Sequence, residues 1–172
     1  MSDQSFDAVV IGAGFSGLYM LHRLREMGLS VVALEAAEDI GGTWLFNRYP
    51  GARCDIESIE YSYSFSDEIQ QEWVWTETMP AQPEIEAYLH YVADKLDLRR
   101  DIRLNTRVDA MTFSDNDGVA EWTIDTSTGE RFVAPFVVAA SGILSVPLEP
   151  DIPGIDDFDG AVLFTGNWPK AG

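Results

Sequence analysis

The first 35 residues of the chain constrain its fold more than any other segment. An apolar run over residues 6–11 leads into a glycine-rich turn, Gly12–Gly17, and a second apolar run over residues 31–34 ends in an acidic residue, Glu35. Between the two runs, an amphipathic pattern predicts a helix over about residues 16–27. Strand, turn, helix and strand in this order predict a β-α-β unit, in which the two strands lie parallel.

The turn has the pattern G-x-G-x-x-G, which in this context is typical of dinucleotide binding. Gly12 permits the tight turn, Gly14 lets the backbone approach a pyrophosphate, and Gly17 lets the helix pack on the strand. The helix N-terminus presents unpaired N–H groups and a positive dipole end to the phosphates. Glu35 lies 18 positions after Gly17, where a carboxylate accepts hydrogen bonds from ribose hydroxyls and favours FAD or NAD over NADP.

The charge and composition of the chain argue against several classes of protein. With 29 acidic against 11 basic residues, its formal charge of −18 repels nucleic acids and anionic membranes. No apolar run reaches the roughly 18 residues that a membrane span requires, and residues 1–4 do not resemble a signal peptide. The single cysteine, Cys54, fits a reducing, cytoplasmic location. His22 and His90 lack metal-ligand spacing, so we predict no metal site.

The rest of the chain predicts one further helix and a series of short strands. Apolar residues at helical spacing predict a helix over about residues 82–96, and Gly28 is expected to end the first helix. Strands of a small antiparallel meander are predicted at 102–104, 108–113, 121–125 and 131–133, with turns at 116–118 and 127–129. The apolar run 136–140 predicts another buried strand of the parallel sheet. Residues 36–83 form a long irregular segment whose aromatic content argues against disorder.

These elements place the chain in the α/β class. We predict a Rossmann-like domain of three layers around a parallel sheet, with a small antiparallel β-meander, over residues 1–142. Residues 143–172 contain four prolines and are interpreted as an extended connector.

Three further motifs resemble one family of flavoproteins. They are Gly41-Gly42-Thr43-Trp44, the sequence R-Y-P-G-A-R-C-D at residues 48–55, and the stretch at residues 158–169. The last is similar to the Baeyer–Villiger monooxygenase fingerprint, F-x-G-x-x-x-H-T-x-x-W-P. The chain therefore resembles the N-terminal FAD-binding part of these enzymes, most closely the phenylacetone and steroid monooxygenases, and is incomplete relative to the family.

One position of the fingerprint differs from the family pattern. Phe164 stands where the family has a histidine, which lies in the connector between the FAD and NADP domains and is associated with domain motion. A phenylalanine cannot make the hydrogen bonds of an imidazole. The substitution therefore concerns coupling between domains rather than FAD binding. The alternative is that Phe164 simply packs in the core.

The resemblance implies an enzyme that uses NADPH and O2 to convert ketones to esters or lactones through a flavin peroxide. Its cofactors would be FAD and, for the complete enzyme, NADP(H). The chain holds no second G-x-G-x-x-G for NADP, so we expect it to be inactive alone and to need the remaining part of the enzyme or a second chain. The alternatives are a non-catalytic FAD-binding fragment or subunit, and a related amine or sulfur flavin monooxygenase.

The resemblance also assigns residues to the cofactor site. Gly12, Gly14 and Gly17 would hold the FAD pyrophosphate, and Glu35 would hold the adenosine ribose. The further positions implied to bind cofactor are Gly42, Thr43, Trp44, Leu45, Phe46, Arg53, Cys54, Asp55, Tyr61, Val108, Ser141 and Gly142.

Several of these residues have individual roles within the family. Thr43 and Trp44 would lie against the flavin, and Val108 would contact the adenine through its backbone. Arg53 and Cys54 match a segment that approaches NADP, although Arg53 could equally be a surface charge and Cys54 a small packed residue.

Asp55 is the residue expected to serve catalysis. The matching aspartate of the family lies near the flavin and orients an active-site arginine, which this chain does not contain. The alternative is that Asp55 caps a helix beginning at Ile56, and both roles could hold together.

Overall fold

The computed structural model describes residues 3–116, 118–146, 148 and 150–169. Its strands are β1 (Gln4–Ser5), β2 (Ala8–Ile11), β3 (Val31–Leu34), β4 (Ile102–Arg103), β5 (Val108–Asn116), β6 (Val119–Thr126), β7 (Arg131–Ala134) and β8 (Phe136–Ala139). Its helices are α1 (Phe15–Glu26), α2 (Thr43–Phe46), α3 (Asp67–Glu72) and α4 (Gln82–Lys95), with 3₁₀ turns at Arg99–Asp101, Ile155–Asp157 and Thr165–Asn167.

A parallel sheet in the order β4-β3-β2-β8 forms the middle layer. Successive side chains of a strand point to opposite faces, and both faces of this sheet are covered. Ala8 and Val10 of β2 belong to the core that includes α1 and α4, whereas Val9 packs against the second sheet. Strands β2 and β3 are therefore apolar throughout, as predicted for a buried parallel sheet. The burial predicted for residues 136–140 was wrong, because β8 is an edge strand and its Phe136 is 63% exposed.

Helices α1 and α4 contribute the outer layer on one face. Leu18 and Leu21 of α1, together with Ile85 and Leu89 of α4, are fully buried in the same core cluster. The observed bounds agree with the helices predicted over residues 16–27 and 82–96 to within one residue at each end.

The end of α1 confirms the role predicted for Gly28. Gly28 has a φ of +80°, and its N–H donates to the carbonyl of Arg25 at 2.9 Å. The N–H of Leu29 donates to the carbonyl of Leu24 at 3.2 Å. These two bonds form a Schellman motif, which glycine favours because it adopts the left-handed conformation without a steric penalty.

The second sheet, in the order β1-β7-β6-β5, forms the third layer. β6 pairs antiparallel with β5 and β7, which confirms a small antiparallel meander. Ile124, Phe132 and Ala134 of this sheet pack against the parallel sheet. Asp117, in the predicted turn at 116–118, lies outside the described residues.

One predicted strand belongs to the other sheet. Residues 102–104 were expected to join the meander, but β4 pairs in parallel with β3, through Ala33 to Ile102 and Leu34 to Arg103. The prediction was wrong because β3, α4 and β4 form a crossover connection, which returns the chain to the parallel sheet. A two-residue strand carries too little pattern to reveal its partner.

The segment 36–83 is largely irregular but contains α2 and α3. Ser66 caps α3, since its Oγ accepts a hydrogen bond from the N–H of Ile69 at 3.3 Å. The suggestion that Asp55 caps a helix from Ile56 is wrong: residues 58–61 form a turn, in which the N–H of Tyr61 donates to the carbonyl of Glu57 at 2.9 Å.

Beyond β8, the described residues include bends at 143–146, a turn at 153–154 and two 3₁₀ turns but no further strand, and many of their apolar side chains are exposed. None of the helices in the described ranges combines the length and the apolar character that a membrane-spanning helix needs. Across those same ranges, no group of three or more His, Cys, Asp or Glu side chains is placed to hold a metal ion.

Candidate functional site

A cleft of about 430 Å³ opens at the carboxyl ends of β2, β3 and β8. Open α/β sheets bind ligands at this edge. The cleft brings together several segments that are distant in sequence. Its lining consists of Ile11, Gly12, Gly14, Leu34, Glu35, Ala36, Gly42, Thr43, Phe46, Thr106, Arg107, Val108, Ala140, Ser141, Gly142, Leu144, Ser145 and Val146.

The glycine-rich turn is packed so tightly that side chains are excluded at Gly12 and Gly17, and Gly42 beside the turn is also crowded. A Cβ atom on Gly12 would lie 2.6 Å from the carbonyl oxygen of Ala140. A Cβ atom on Gly17 would lie 1.9 Å from the carbonyl oxygen of Gly12, so only glycine lets α1 approach the turn. A Cβ atom on Gly42 would lie 3.0 Å from the Cα atom of Gly14. The close approach predicted for Gly42 is thus made in part to the backbone of the turn itself.

The N-terminus of α1 is suited to an anionic ligand. Gly14 is the N-cap residue and supplies no side-chain hydrogen bond, and the first turn contains no acidic residue. The first N–H groups of a helix lack intrahelical acceptors and carry the positive end of the helix dipole. Since Gly14 lines the cleft, a pyrophosphate could bind beside these groups.

Glu35 connects the end of β3 to the glycine-rich turn. Its Oε2 accepts a hydrogen bond from the N–H of Ala13 at 2.6 Å, and its Oε1 accepts one from the N–H of Ala37 at 2.8 Å. The residue is only 7% exposed, yet it lines the cleft. A carboxylate has about four acceptor positions, so ribose hydroxyls can still donate to Glu35 while it holds the turn.

The loop between β4 and β5 is a part of the site that sequence reasoning largely missed. Thr106 and Arg107 line the cleft beside Val108, which was predicted. The N–H of Thr106 donates to the carbonyl of Glu35 at 2.8 Å, and that of Asn105 to the carbonyl of Ala37 at 2.8 Å. Because these hydrogen bonds are made by the backbone, no side-chain motif in the sequence indicates them.

The motif at residues 42–46 is divided between cleft and core. Gly42, Thr43 and Phe46 line the cleft, whereas Trp44 and Leu45 are buried. The indole N–H of Trp44 donates to the hydroxyl of Tyr61 at 3.0 Å. Trp44 therefore lies in the core one residue behind the cleft wall, and its predicted contact with the flavin stays a prediction.

Tyr61 and Asp55 lie in the region behind the cleft wall, but neither lines the cleft. Burial raises the pKa of the Tyr61 hydroxyl, the hydrogen bond from Trp44 opposes that rise, and the nearby Cys54 and Asp55 side chains add to it. Asp55 itself is exposed. The structure thus brings Asp55 near Tyr61, and its catalytic role stays a prediction.

Arg53 and Cys54 are placed by a strand-like contact between residues 52–54 and 80–82. Cys54 is buried, and its N–H donates to the carbonyl of Pro80 at 3.0 Å. The Arg53 guanidinium is partly exposed and is paired with Glu77 and the carbonyl of Met79. Neither residue lines the cleft. These positions fit the alternatives that Cys54 is a small packed residue and that Arg53 is a surface charge.

The fingerprint stretch forms one wall of a second cleft, of about 380 Å³, on the other side of Phe46. Trp168 lines this cleft and lies with its ring centroid 6.5 Å from that of Tyr49. Phe164 is partly buried and borders a separate small cleft together with Ile155 and Val162. Phe164 is thus partly packed, and its predicted effect on domain coupling stays a prediction.

Comparison with known proteins identifies the type of domain. Residues 10–71 match the model of an NAD(P)-binding Rossmann-like domain. The chain is 46% identical over 172 residues to an acetone monooxygenase (methyl acetate-forming) of Gordonia sp. (strain TY-5), covering all of this chain and 32% of the relative. It is 48% identical over 166 residues to a Baeyer–Villiger monooxygenase of Pseudooceanicola batsensis, covering 96% of this chain and 30% of the relative.

A relative with a different reaction matches equally well. A phenazine N-monooxygenase of Lysobacter antibioticus is 48% identical over 165 residues, covering 95% of this chain and 30% of the relative. The chain thus spans about a third of the length of the curated relatives it matches.

Solved structures confirm the α/β fold. Oxidized steroid monooxygenase bound to NADP superimposes with a TM-score of 0.90 and 52% identity, covering 98% of this chain and 32% of that chain. The OTEMO complex with FAD and NADP superimposes with a TM-score of 0.89 and 40% identity, covering 99% of this chain and 32% of that chain. Fold, motifs and relatives agree: this chain matches the N-terminal, Rossmann-like third of Baeyer–Villiger monooxygenases.

Proposed function

We propose that this chain is the FAD-binding part of a flavin monooxygenase that uses NADPH and O2 to convert ketones to esters or lactones. The observation that carries the proposal is the 430 Å³ cleft, which is lined by the glycine-rich turn, by Glu35 and by Thr43. The acetone and Baeyer–Villiger monooxygenases that match nearly the whole chain support the reaction class.

The residues of the cleft fit FAD. Gly14 and Gly42 lack side chains where the pyrophosphate must pass, and the free N–H groups at the start of α1 are suited to its charge. Glu35 would orient the adenosine ribose, and its carboxylate disfavours the 2′-phosphate of NADP at this site. FAD, when bound, supplies the redox and oxygen chemistry, while these residues bind and orient it.

The remaining parts of the reaction belong to the same proposal. NADP(H) and the ketone would bind with groups from the rest of the enzyme, and Asp55 would help to position an arginine of that part. Residues 143–172 would act as the connector, whose exposed apolar side chains between Ile143 and Leu163 offer a surface for it. The single cysteine, buried and free, is consistent with a cytoplasmic location.

The test is a binding titration of the purified chain, followed by quenching of flavin fluorescence. We expect one FAD to bind per chain, and NADP⁺ at the same concentrations not to displace it. Glu35→Ala should weaken FAD binding, whereas Glu26→Ala, an exposed acidic residue of α1 far from the turn, should leave it unchanged. Displacement of FAD by NADP⁺, or no FAD binding, would contradict the proposal.

A second reaction is favoured by one observation. The phenazine N-monooxygenase that matches 95% of this chain oxidises a nitrogen heterocycle by name, so the N-terminal third is compatible with N-oxidation. The complete reading frame, purified with FAD, should be assayed for NADPH oxidation with ketones and with aromatic N-heterocycles. Ester or lactone formation favours the first reaction, and exclusive N-oxide formation favours the second.

A further inference from the structure

Aromatic side chains form a continuous path from behind the cleft wall to the protein surface. Cofactor binding gives most of them no role. We call this path the aromatic relay, and its oxidisable members are Trp44, Tyr61, Tyr63, Tyr88, Trp73 and Tyr91.

The relay begins one residue from the cleft. Thr43 and Gly14 line the cleft, and the next residue in each case, Trp44 and Phe15, turns into the core. The ring centroids of Trp44 and Tyr61 are 5.8 Å apart, and the indole N–H donates to the Tyr61 hydroxyl at 3.0 Å. The Phe15 ring stands 4.8 Å from that of Tyr61 and 5.2 Å from that of Tyr63, so it bridges the two tyrosines.

The relay then passes from Tyr63, in the irregular segment before α3, to Tyr88 of α4. The centroids of Tyr63 and Tyr88 are 5.9 Å apart, and the backbone N–H of Tyr63 donates to the Tyr88 hydroxyl at 2.8 Å. Trp73 lies 5.3 Å from Tyr88 on one side and 5.3 Å from Tyr91 on the other. Every step of the path is thus a ring contact at the distance of ordinary aromatic pairs.

The outer end of the relay differs from its middle in one chemical respect. A tyrosine keeps an oxidising equivalent as a neutral radical only if its phenolic proton can leave, and otherwise it can only pass the oxidation on. The Tyr91 hydroxyl donates to the Glu72 carboxylate at 2.8 Å, and Lys95 holds that carboxylate at 3.0 Å. By contrast, the Tyr63 hydroxyl donates to the carbonyl of Phe15, a very weak base, at 2.6 Å. The Trp73 indole N–H is buried and makes no hydrogen bond within the described part of the chain.

We propose that the relay carries single oxidising equivalents from the cofactor cleft to Tyr91. With FAD bound and excited by light, Trp44 would give up one electron to the flavin, which would be reduced by that electron. Each oxidised tryptophan or tyrosine then takes one electron from the next oxidisable ring outward, and the electron from Tyr63 reaches Tyr61 across the Phe15 ring, which is not itself oxidised. Tyr91 finally loses one electron and its phenolic proton, and Glu72 takes the proton. The path would protect the residues of the cleft by moving the oxidation to the surface. This proposal rests on the proposed FAD site.

The relay can be tested in the FAD-loaded chain, with FAD occupancy measured by visible absorbance. Blue illumination at low temperature should produce a tyrosyl radical detectable by electron paramagnetic resonance. Tyr91→Phe should lose this signal with FAD still bound, because it removes only the phenol at the surface. Trp73→Phe should also lose the signal, since it interrupts the preceding step. Tyr49→Phe, outside the relay, should retain it.

Two results would overturn the relay while FAD is bound: no tyrosyl signal in the wild-type chain, or an undiminished signal in Tyr91→Phe. Failure to bind FAD would be a separate outcome, visible in the absorbance measurement, and would overturn the proposed function on which the relay rests.

Discussion

The β-α-β region, residues 8–35, and the C-terminal segment, residues 143–169, both contain many apolar side chains but place them differently. Val9 and Val10 are fully buried, whereas Ile143 is 97% exposed and Leu148 is 89% exposed. The contrast shows that apolar composition alone does not produce a core. Regular, hydrogen-bonded elements must first present the side chains on faces that other layers can cover.

The physical origin of the difference lies in the backbone. β2 has a strand on each side, and both of its faces meet another layer. The described part of the C-terminal segment instead contains bends, turns and two short 3₁₀ turns, and Pro150 and Pro153 cannot donate to a strand ladder. We therefore expect substitutions in the first region to affect folding and FAD binding. Substitutions at exposed positions of the second region that do not line the cleft should affect only its surface properties.

The largest effect is expected for Gly17→Ala. Because its Cβ would lie 1.9 Å from the Gly12 carbonyl oxygen, α1 must shift away from the turn, at a cost of about 3 kcal/mol, and FAD binding should be lost. Gly28→Ala is the control for sterics: its φ of +80° disfavours alanine, but its Cβ would have open space, so we expect a loss of about 1 kcal/mol. Urea unfolding measures both. Equal losses in the two variants would contradict the close packing of the turn.

Glu35→Ala should have the next largest effect. It leaves the N–H groups of Ala13 and Ala37 without their acceptor, which is expected to cost about 2 kcal/mol. Glu26→Ala removes a carboxylate of similar size that is exposed on α1, so its effect should stay within about 0.5 kcal/mol. Thermal unfolding of both variants checks this. A Glu35→Ala protein as stable as the control would show that Glu35 does not hold the turn.

A smaller effect on stability is expected in the C-terminal segment. The double variant Ile143→Ser with Leu148→Ser should change the free energy of unfolding by less than about 0.5 kcal/mol, because both side chains are exposed and neither lines the cleft. Binding of a hydrophobic dye to the folded protein should fall. Val32→Ser, at a buried position of β3, should instead destabilise strongly. A large loss of stability in the double variant would remove the contrast between the two regions.

The smallest effect is expected on the free energy of unfolding at acidic pH. Hydrogen bonds from the Ser30 hydroxyl and backbone N–H lower the pKa of Asp7 below its usual value of 3.8. Because its pKa is lowered in the folded state, Asp7 stabilises the fold fully above pH 3.8, and this stabilisation is lost as the pH falls through the folded-state pKa. Asp7→Asn should therefore flatten the fall in stability below about pH 4. Unfolding free energies at several pH values test this, and an unchanged slope would contradict it.

The sequence predicted those parts of the fold and site that depend on local pattern. The glycine-rich turn, Glu35 and the helices around it follow from spacing within 35 residues. The pairing of β4 with β3 could not be predicted, because a two-residue strand has no sequence pattern that identifies the strand with which it pairs. Thr106 was missed because it contacts Glu35 through its backbone, and Trp44 lies behind the cleft wall because its indole N–H is satisfied by Tyr61.

The most direct test of the central claim is amide hydrogen exchange of the purified chain with and without FAD, read by mass spectrometry. If FAD binds in the cleft, peptides covering residues 10–18, 35–46 and 104–110 should exchange more slowly in its presence, while those covering residues 119–126 should not change. Protection confined to the second cleft around Trp168, or no protection of the glycine-rich turn at saturating FAD, would contradict the account.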